Sequence, residues 1–164
     1  MAEFSIIVVP TDRNFVPKPD AIAAAKSLME SFYPDAENDA DVETPPTPRL
    51  FTARDGFDSL VCPKCEEGTS QWDMEEDEDG ENWWTIFEET MRDSKDPSAE
   101  VLEMPCCGAS VKAGDLDFGG EAAFARIKFR IRNPGDDPSL SAEHAKALGA
   151  ALGCEVLGIV EVRS

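Results

Sequence analysis

Four of the five cysteines in this chain lie in two short runs that are about forty residues apart. One run reads Cys62-Pro63-Lys64-Cys65 and the other reads Met104-Pro105-Cys106-Cys107-Gly108. A Cys-x-x-Cys turn places two thiolates on one side of a tight loop, and two such turns complete a tetrahedral zinc site. The spacing therefore predicts a structural zinc ion, whose four ligands are Cys62, Cys65, Cys106 and Cys107.

The second run is an imperfect copy of the first. When both are aligned as Cys-Pro-x-Cys, Met104 takes the place of the opening cysteine and Cys106 fills the x position. A thioether is a poor zinc ligand, so Cys106 and Cys107 would have to bind the metal side by side. Three alternatives stay open: reduced thiols without metal, a disulfide or redox switch, and a carboxylate or water as the fourth ligand.

The charge of the chain limits its partners. The sequence has 34 acidic and 15 basic residues, and its formal net charge is -19. This charge opposes binding to nucleic acids and to anionic lipids, so we expect neither nucleic acid nor a membrane as a partner. A basic protein partner fits the charge better, because complementary fields speed encounter. Alternatively, the acidity only keeps the protein soluble.

The sequence also predicts a cytoplasmic location. Ala2-Glu3 brings no positive charge, and the apolar run Phe4–Pro10 is too short for the core of a secretory signal. No apolar run approaches the ~20 residues that span a membrane. In a reducing compartment, a Cys-x-x-Cys pair is more often a metal or redox site than a disulfide.

The elements that must position the cysteines lie on both sides of them. Phe4–Pro10 is apolar and rich in β-branched residues, which is typical of a strand buried on both faces. Pro19–Tyr33 has apolar residues at helical spacing and predicts a helix that starts with proline. The segment 34–48 is acidic and rich in proline, and it predicts a mobile loop.

A second strand and helix follow the cysteine runs. Apolar and basic residues alternate in Phe124–Arg132, which predicts a strand with one basic face. We call this face the basic strip: Arg126, Lys128, Arg130 and Arg132. It is either an anion site or a solvent face neutralised by the protein's own acids. Ser141 and Gly153 are suitable caps for the next helix, and Val156–Val162 predicts the last strand.

The order of strand and helix therefore occurs twice and predicts a fold. We expect a single α+β domain over residues 1–164, with ferredoxin-like β-α-β halves whose helices lie on one sheet face. The cysteine runs, the strands that lead into them and a helix predicted over Asn82–Asp96 would form an inserted zinc-ribbon-like module at about 57–120.

Other residues with possible chemistry are less informative. Trp83 and Trp84 are adjacent, so we expect one in the core and the other partly exposed or covering the cysteine module. His144, the only histidine, is expected on an exposed helical turn. Glu75–Gly80 resembles half of a calcium loop, but Ile86 stands where a bidentate Glu belongs, which indicates a solvated acidic loop. The common catalytic motifs are missing from the sequence, which favours a non-catalytic protein.

The order of four short motifs resembles a group of uncharacterised bacterial proteins. The motifs are Val9-Pro10-Thr11-Asp12, Cys62-Pro63-Lys64-Cys65, Pro105-Cys106-Cys107-Gly108 and Arg132-Asn133-Pro134. The resemblance spans most of the chain, and the two cysteine runs are its most specific part. Members of that group generally pair the two runs, which implies that Cys106 and Cys107 act as a unit. The resemblance implies a fold and a metal site but no activity.

The sequence thus favours a non-catalytic, zinc-stabilised cytoplasmic module that binds another protein, with a basic partner fitting its charge. The first alternative is a small thiol-redox enzyme that uses Cys106 and Cys107. The second is an anion-binding module that uses the basic strand 126–132. The sequence does not predict an oligomeric state.

Overall fold

A computed structural model of the protein describes residues 3–36, 39–73, 82–135 and 139–163. Three helices occur in this part of the chain: α1 (Pro19–Phe32), α2 (Trp83–Asp93) and α3 (Ala142–Leu152). Short 3₁₀ turns lie at Gln71–Asp73, Pro97–Ala99 and Ala113–Asp115. The strands are β1 (Glu3–Pro10), β2 (Asp41–Glu43), β3 (Arg49–Thr52), β4 (Ser59–Val61), β5 (Gly68–Ser70), β6 (Val101–Glu103), β7 (Ser110–Lys112), β8 (Ala122–Ala125), β9 (Lys128–Arg132) and β10 (Val156–Arg163).

The apolar run at the start of the chain forms an inner strand of a four-stranded sheet. The strand order is β10-β1-β9-β2, and every neighbouring pair is antiparallel. On β1, Ile6 lies between Val160 of β10 and Ile131 of β9. The stretch from Ile6 to Val9 is at most 1% exposed, so the predicted strand is confirmed as buried on both faces.

Helices α1 and α3 pack against each other and cover one face of this sheet. Ala25 and Met29 of α1 and Leu148 of α3 are buried in one cluster with alternate residues of β1 and β9. These strand residues are Ile6, Val8, Phe129 and Ile131. The helical stripe that the sequence predicts in α1 therefore faces the sheet, as an amphipathic helix does.

The predicted caps of α3 are confirmed. The Ser141 hydroxyl accepts a hydrogen bond of 3.1 Å from the His144 amide, which satisfies one free N–H of the first turn. Gly153 has a φ of 83° and ends the helix in the left-handed conformation that glycine adopts without strain. These local signals decide where α3 begins and ends.

The opposite face of the sheet is covered by the residues between β2 and β9. Ile7 and Val9 of β1 and Ile159 of β10 belong to a second core cluster. Its other members include Trp84 and Phe87 of α2 and residues of the short hairpins. Because successive side chains of a strand point to opposite faces, β1 contributes to both cores. The helices, the sheet and the intervening segment thus form successive layers.

The intervening segment contains three two-stranded antiparallel pairs, β3 with β8, β4 with β5, and β6 with β7. The described part of the chain is therefore a mixed α+β structure with one larger and several small antiparallel sheets. None of its helices is both long and apolar enough to cross a membrane. The acidic loop predicted at Glu75–Gly80 lies outside the described residues.

The structure differs from the sequence prediction in two places. Within the segment 34–48, predicted as a loop, β2 pairs with β9 across Val42 and Phe129. The single strand predicted over Phe124–Arg132 is divided: β8 pairs with β3, whereas β9 pairs with β1 and β2. Ala125 and Ile127 would share a face in one continuous strand, but they lie in different core clusters. The chain turns between them, and alternation alone does not reveal this change of partner.

Candidate metal centre

The first cysteine run forms the turn between β4 and β5. The Glu66 amide donates a hydrogen bond of 2.9 Å to the carbonyl of Cys62, and the Cys62 amide donates one of 3.0 Å to the carbonyl of Glu67. Glu66 has a φ of 63°, in the left-handed region that non-glycine residues seldom adopt. The Lys64 amide lies 3.4 Å from the sulfur of Cys62, so the backbone of the turn also points an N–H at the thiol.

The second cysteine run forms the same turn between β6 and β7. The Gly108 amide donates a hydrogen bond of 2.8 Å to the carbonyl of Met104, and the Met104 amide donates one of 2.9 Å to the carbonyl of Ala109. Gly108 has a φ of 71°, in the same region as Glu66. Each backbone position of the first turn therefore has a counterpart in the second.

This correspondence shows which residues occupy equivalent positions in the two turns. Cys62 corresponds to Met104, Cys65 corresponds to Cys107, and Cys106 stands at the x position. Cys62 and Met104 are both at most 1% exposed, so the two side chains occupy equivalent inner positions. The alignment made from the sequence is thus supported by the backbone hydrogen bonds, and the second turn presents Cys106 in place of an inner thiol.

The two turns bring four thiols together. The sulfurs of Cys62 and Cys107 are 3.8 Å apart, those of Cys65 and Cys106 are 3.2 Å apart, and all four lie within 4.8 Å of one another. Zinc–sulfur bonds of about 2.3 Å in a regular tetrahedron place neighbouring sulfurs about 3.8 Å apart. The cluster therefore has the donor atoms and the size that a metal ion requires, and it can hold one.

The surroundings of the cluster move the pKa values of Cys62 and Cys106 in opposite directions. Hydrogen bonding from the backbone of Cys65, and then of Lys64, lowers the pKa of Cys62 to about 7. Burial and the neighbouring thiols raise the pKa of Cys106 to about 12. A second negative charge in so small a volume is costly, because like charges repel strongly at this distance. A bound divalent cation would remove that cost and allow the other thiols to lose their protons.

Helix α2 is attached to the second hairpin through its first turn. The Trp83 indole N–H donates a hydrogen bond of 2.8 Å to the carbonyl of Glu103, the last residue of β6, and the Trp83 ring stacks on Phe87 at 5.3 Å. Trp84 is 2% exposed and lies in the core. One tryptophan is therefore buried and the other is partly exposed, which is one of the two arrangements that the sequence predicts.

The basic strip is close to acids of the same protein. Lys128 lies 3.7 Å from Glu43, and Arg132 lies 3.8 Å from Glu3. Arg130 donates a hydrogen bond of 2.7 Å to Glu161, a residue that the sequence analysis did not single out. Three of the four residues of the strip therefore have an acidic neighbour within the protein, and Lys128 and Arg130 are mostly buried and do not form a solvent face.

The structure corrects the prediction for His144. Its side chain is half-buried and not exposed, because the ring stacks on Phe32 at a centroid distance of 3.8 Å and meets the edge of Tyr33. His144 thus helps to join α3 to α1, and the first-turn position that suggested exposure faces the other helix. Cys154, the fifth cysteine, is half-buried, and burial raises the pKa of its thiol.

One exposed aromatic residue was missed in the sequence. Trp72 is 74% exposed, and its indole N–H donates a hydrogen bond of 3.0 Å to a carboxylate oxygen of Asp58. Its neighbours Ser70, Gln71 and Asp73 are polar, and this local lack of apolar residues is the signal that could have indicated exposure.

Comparisons of the chain with protein-family models, with curated proteins and with solved structures find no match.

Proposed function

We propose that the protein is a non-catalytic, zinc-stabilised cytoplasmic module that works by binding another protein. The observation that carries the first part is the convergence of four thiols from two turns with equivalent backbone hydrogen bonds. Soft thiolate ligands in a tetrahedral arrangement suit zinc among the available metals. The ligands would be Cys62, Cys65, Cys106 and Cys107.

A structural role fits this set of ligands better than a catalytic one. Four thiolates fill the tetrahedral coordination of zinc, so no position remains open for a substrate or an activated water. Each turn joins strands of only three residues, and such short hairpins are marginally stable by themselves. A metal that binds both turns would therefore contribute directly to folding the segment between β2 and β9.

We further infer a ferredoxin-like arrangement with an inserted zinc-ribbon-like module. Strands β1, β2, β9 and β10 with helices α1 and α3 follow the order β-α-β twice, and the helices lie together on one face. The sheet order places the two outer strands β10 and β2 at opposite edges. This order supports the ferredoxin-like assignment, and the paired turns support the module.

The proposed partner is a protein with a basic surface. A net charge of -19 attracts such a surface and repels acidic ones. Trp72 offers a large exposed ring beside the carboxylate of Asp58, and tryptophan is among the residues that most often dominate the binding energy of interfaces. We therefore propose Trp72 as an anchor of the interaction.

Metal analysis tests the structural part of the proposal. We expect about one zinc per chain by mass spectrometry of the full-length protein, with only Cys154 reacting as a free thiol until a chelator is added. Zinc-free protein with a rapidly reacting Cys106 or Cys107 would instead support the thiol-redox alternative.

An affinity experiment tests the partner. The full-length protein, immobilised at low salt, should retain a specific basic protein that is released at high salt, because surface charge attraction is screened. Substitution of Trp72→Ala should abolish retention, whereas Phe4→Ala, which removes another exposed ring, should not. Equal retention of the basic protein by the unaltered protein and by both variants would contradict Trp72 as an anchor.

A further inference from the structure

A cleft lies between the sheet and the segment that covers its second face. It has a volume of about 760 Å³ and is bounded by β3, by α2 and by the face of β9 and β10 that turns away from α1 and α3. Small-molecule sites typically have volumes of about 300–1,000 Å³. The cleft is therefore large enough to hold an organic molecule of moderate size.

The charge of this cleft is opposite to that of the protein. Acidic residues outnumber basic ones 34 to 15 in the chain, but basic residues outnumber acidic ones among the charged groups that line the cleft. The basic ones are Arg49, Arg54, Arg92, Lys128 and Arg163, and the acidic ones are Asp55, Glu88 and Glu161. Basic residues are thus concentrated around one concave surface of an acidic protein.

Glu161 organises the cationic side of the cleft. Its carboxylate is 5% exposed, and it contacts three guanidinium groups: Arg54 at 3.1 Å, Arg130 at 2.7 Å and Arg163 at 3.5 Å. One carboxylate offsets only one of these three charges, and two of the three arginines, Arg54 and Arg163, line the cleft. Because the carboxylate is buried, it also holds the arginines in place before any ligand arrives, which lowers the entropy cost of binding.

Lys128 adds a further cation to the same surface. Its ammonium lies 5.0 Å from the centre of the Phe51 ring and 3.7 Å from the exposed carboxylate of Glu43. Its side chain is only 13% exposed, and this burial lowers its pKa. Contact with an anion would offset the loss of water around the ammonium.

Arg49 and Arg92 have other roles. Arg49 donates hydrogen bonds to the carbonyls of Arg92 and Ser94 at the end of α2, where a cation satisfies free helix carbonyls. Arg92 pairs with Asp93 at 3.1 Å on the exposed side of the helix. Both still contribute positive charge to the lining, and the cations beside Glu161 and Phe51 are Arg54, Lys128 and Arg163.

We propose that this cleft binds a small organic molecule that carries a phosphate group. A phosphate dianion suits a lining in which five basic groups face three acidic ones, and its oxygens suit the fork of donors that guanidinium groups present. Arg54, Lys128 and Arg163 would contact the phosphate, and Phe51 would contact the organic part. The proposal does not depend on the identity of the metal or of the protein partner.

Titration of the full-length protein with inorganic phosphate and with phenyl phosphate tests the proposal. Calorimetry at low ionic strength should show saturable binding of both, with phenyl phosphate bound more tightly because its ring can contact Phe51. No saturable binding of either compound up to about 20 mM, the range of very weak ligands, would overturn the proposal. Equal or tighter binding of phenylacetate would overturn the assignment to phosphate.

Matched variants locate the site. Lys128→Gln and Arg163→Gln should each weaken phenyl phosphate binding about tenfold, because each removes one charge-assisted contact. Lys112→Gln removes the same charge from an exposed position on β7, outside the cleft, and should change the affinity less than about twofold. Arg163 lies near the end of the edge strand β10 and is about one-third exposed, so its variant should fold. Equal effects of all three substitutions would show a general charge effect and overturn the site.

Discussion

The two cysteine turns have the same backbone and different side chains. Each is closed by a pair of hydrogen bonds between equivalent residues, and each has a left-handed residue after its last cysteine. The first turn places a thiol at its inner position, Cys62, whereas the second places the thioether of Met104 there. The second turn instead supplies Cys106 from a position that is Lys64 in the first. A turn can thus keep its geometry while the origin of one donor atom changes.

The difference shows that the backbone hydrogen bonds of the turn and the sulfur ligands of a metal are independent features. The hydrogen bonds come from the backbone and do not require cysteine, so the turn persists when the inner residue is methionine. The sulfur donors depend on side chains, and neighbouring positions on a tight turn can both reach the same point. Substitutions in the two turns test this independence.

Loss of a ligand from the regular first turn should have the largest effect. Cys65→Ser should reduce bound metal below half and lower the free energy of unfolding by about 4 kcal/mol, because the metal connects two otherwise weak hairpins. Metal content and urea denaturation measure both quantities. Cys154→Ser, at the cysteine outside the cluster, is the matched control and should keep its metal. Full metal content in Cys65→Ser would show that the four thiols do not act together.

Exchange of the donor position in the second turn should have an intermediate effect. Cys106→Ala alone should weaken metal binding at least about tenfold, because one of four ligands is lost. Adding Met104→Cys should restore binding, since Met104 has the backbone position that Cys62 has in the first turn. Competition with a chromogenic chelator measures the affinities. If the double variant binds no better than Cys106→Ala, the two inner positions are not equivalent.

The left-handed residues should show the smallest effects, with opposite signs. Gly108→Ala should destabilise the protein by about 1 kcal/mol, because a Cβ is strained at a φ of 71° although no other atom would obstruct it. Glu66→Gly should stabilise by up to about 1 kcal/mol, because it relieves the same strain at a φ of 63°. Thermal unfolding of the metal-loaded proteins measures both changes. Changes of the same sign would mean that the two turns differ in conformation.

Much of the framework could be predicted because its signals are local. The buried run of β1, the apolar stripe of α1 and the caps of α3 each lie within one element, and the structure has all three. The grouping of the four cysteines was also predictable, since spacing within each run sets a tight turn. The identity of the metal stays a prediction.

Contacts between distant segments could not be predicted in the same way. The pairing of β2 with β9 depends on an edge that β9 provides, and nothing in the acidic composition of segment 34–48 indicates it. The exposure of His144 was predicted wrongly because its partner Phe32 lies on another helix, more than a hundred residues earlier. In both cases the contact that determines the structure is made by a residue far away in the sequence.

The helices, the strands β1 and β10 and the grouping of the four thiols follow from the sequence, because periodicity, capping and short spacing are properties of neighbouring residues. The contacts of Arg54, Arg130 and Arg163 with Glu161, and a cationic cleft in an acidic protein, arise only when distant segments pack together. These residues come from three separate parts of the chain. Their contacts depend on how the segment between β2 and β9 packs against the sheet, and that packing is driven by burial of the apolar residues of the second core cluster.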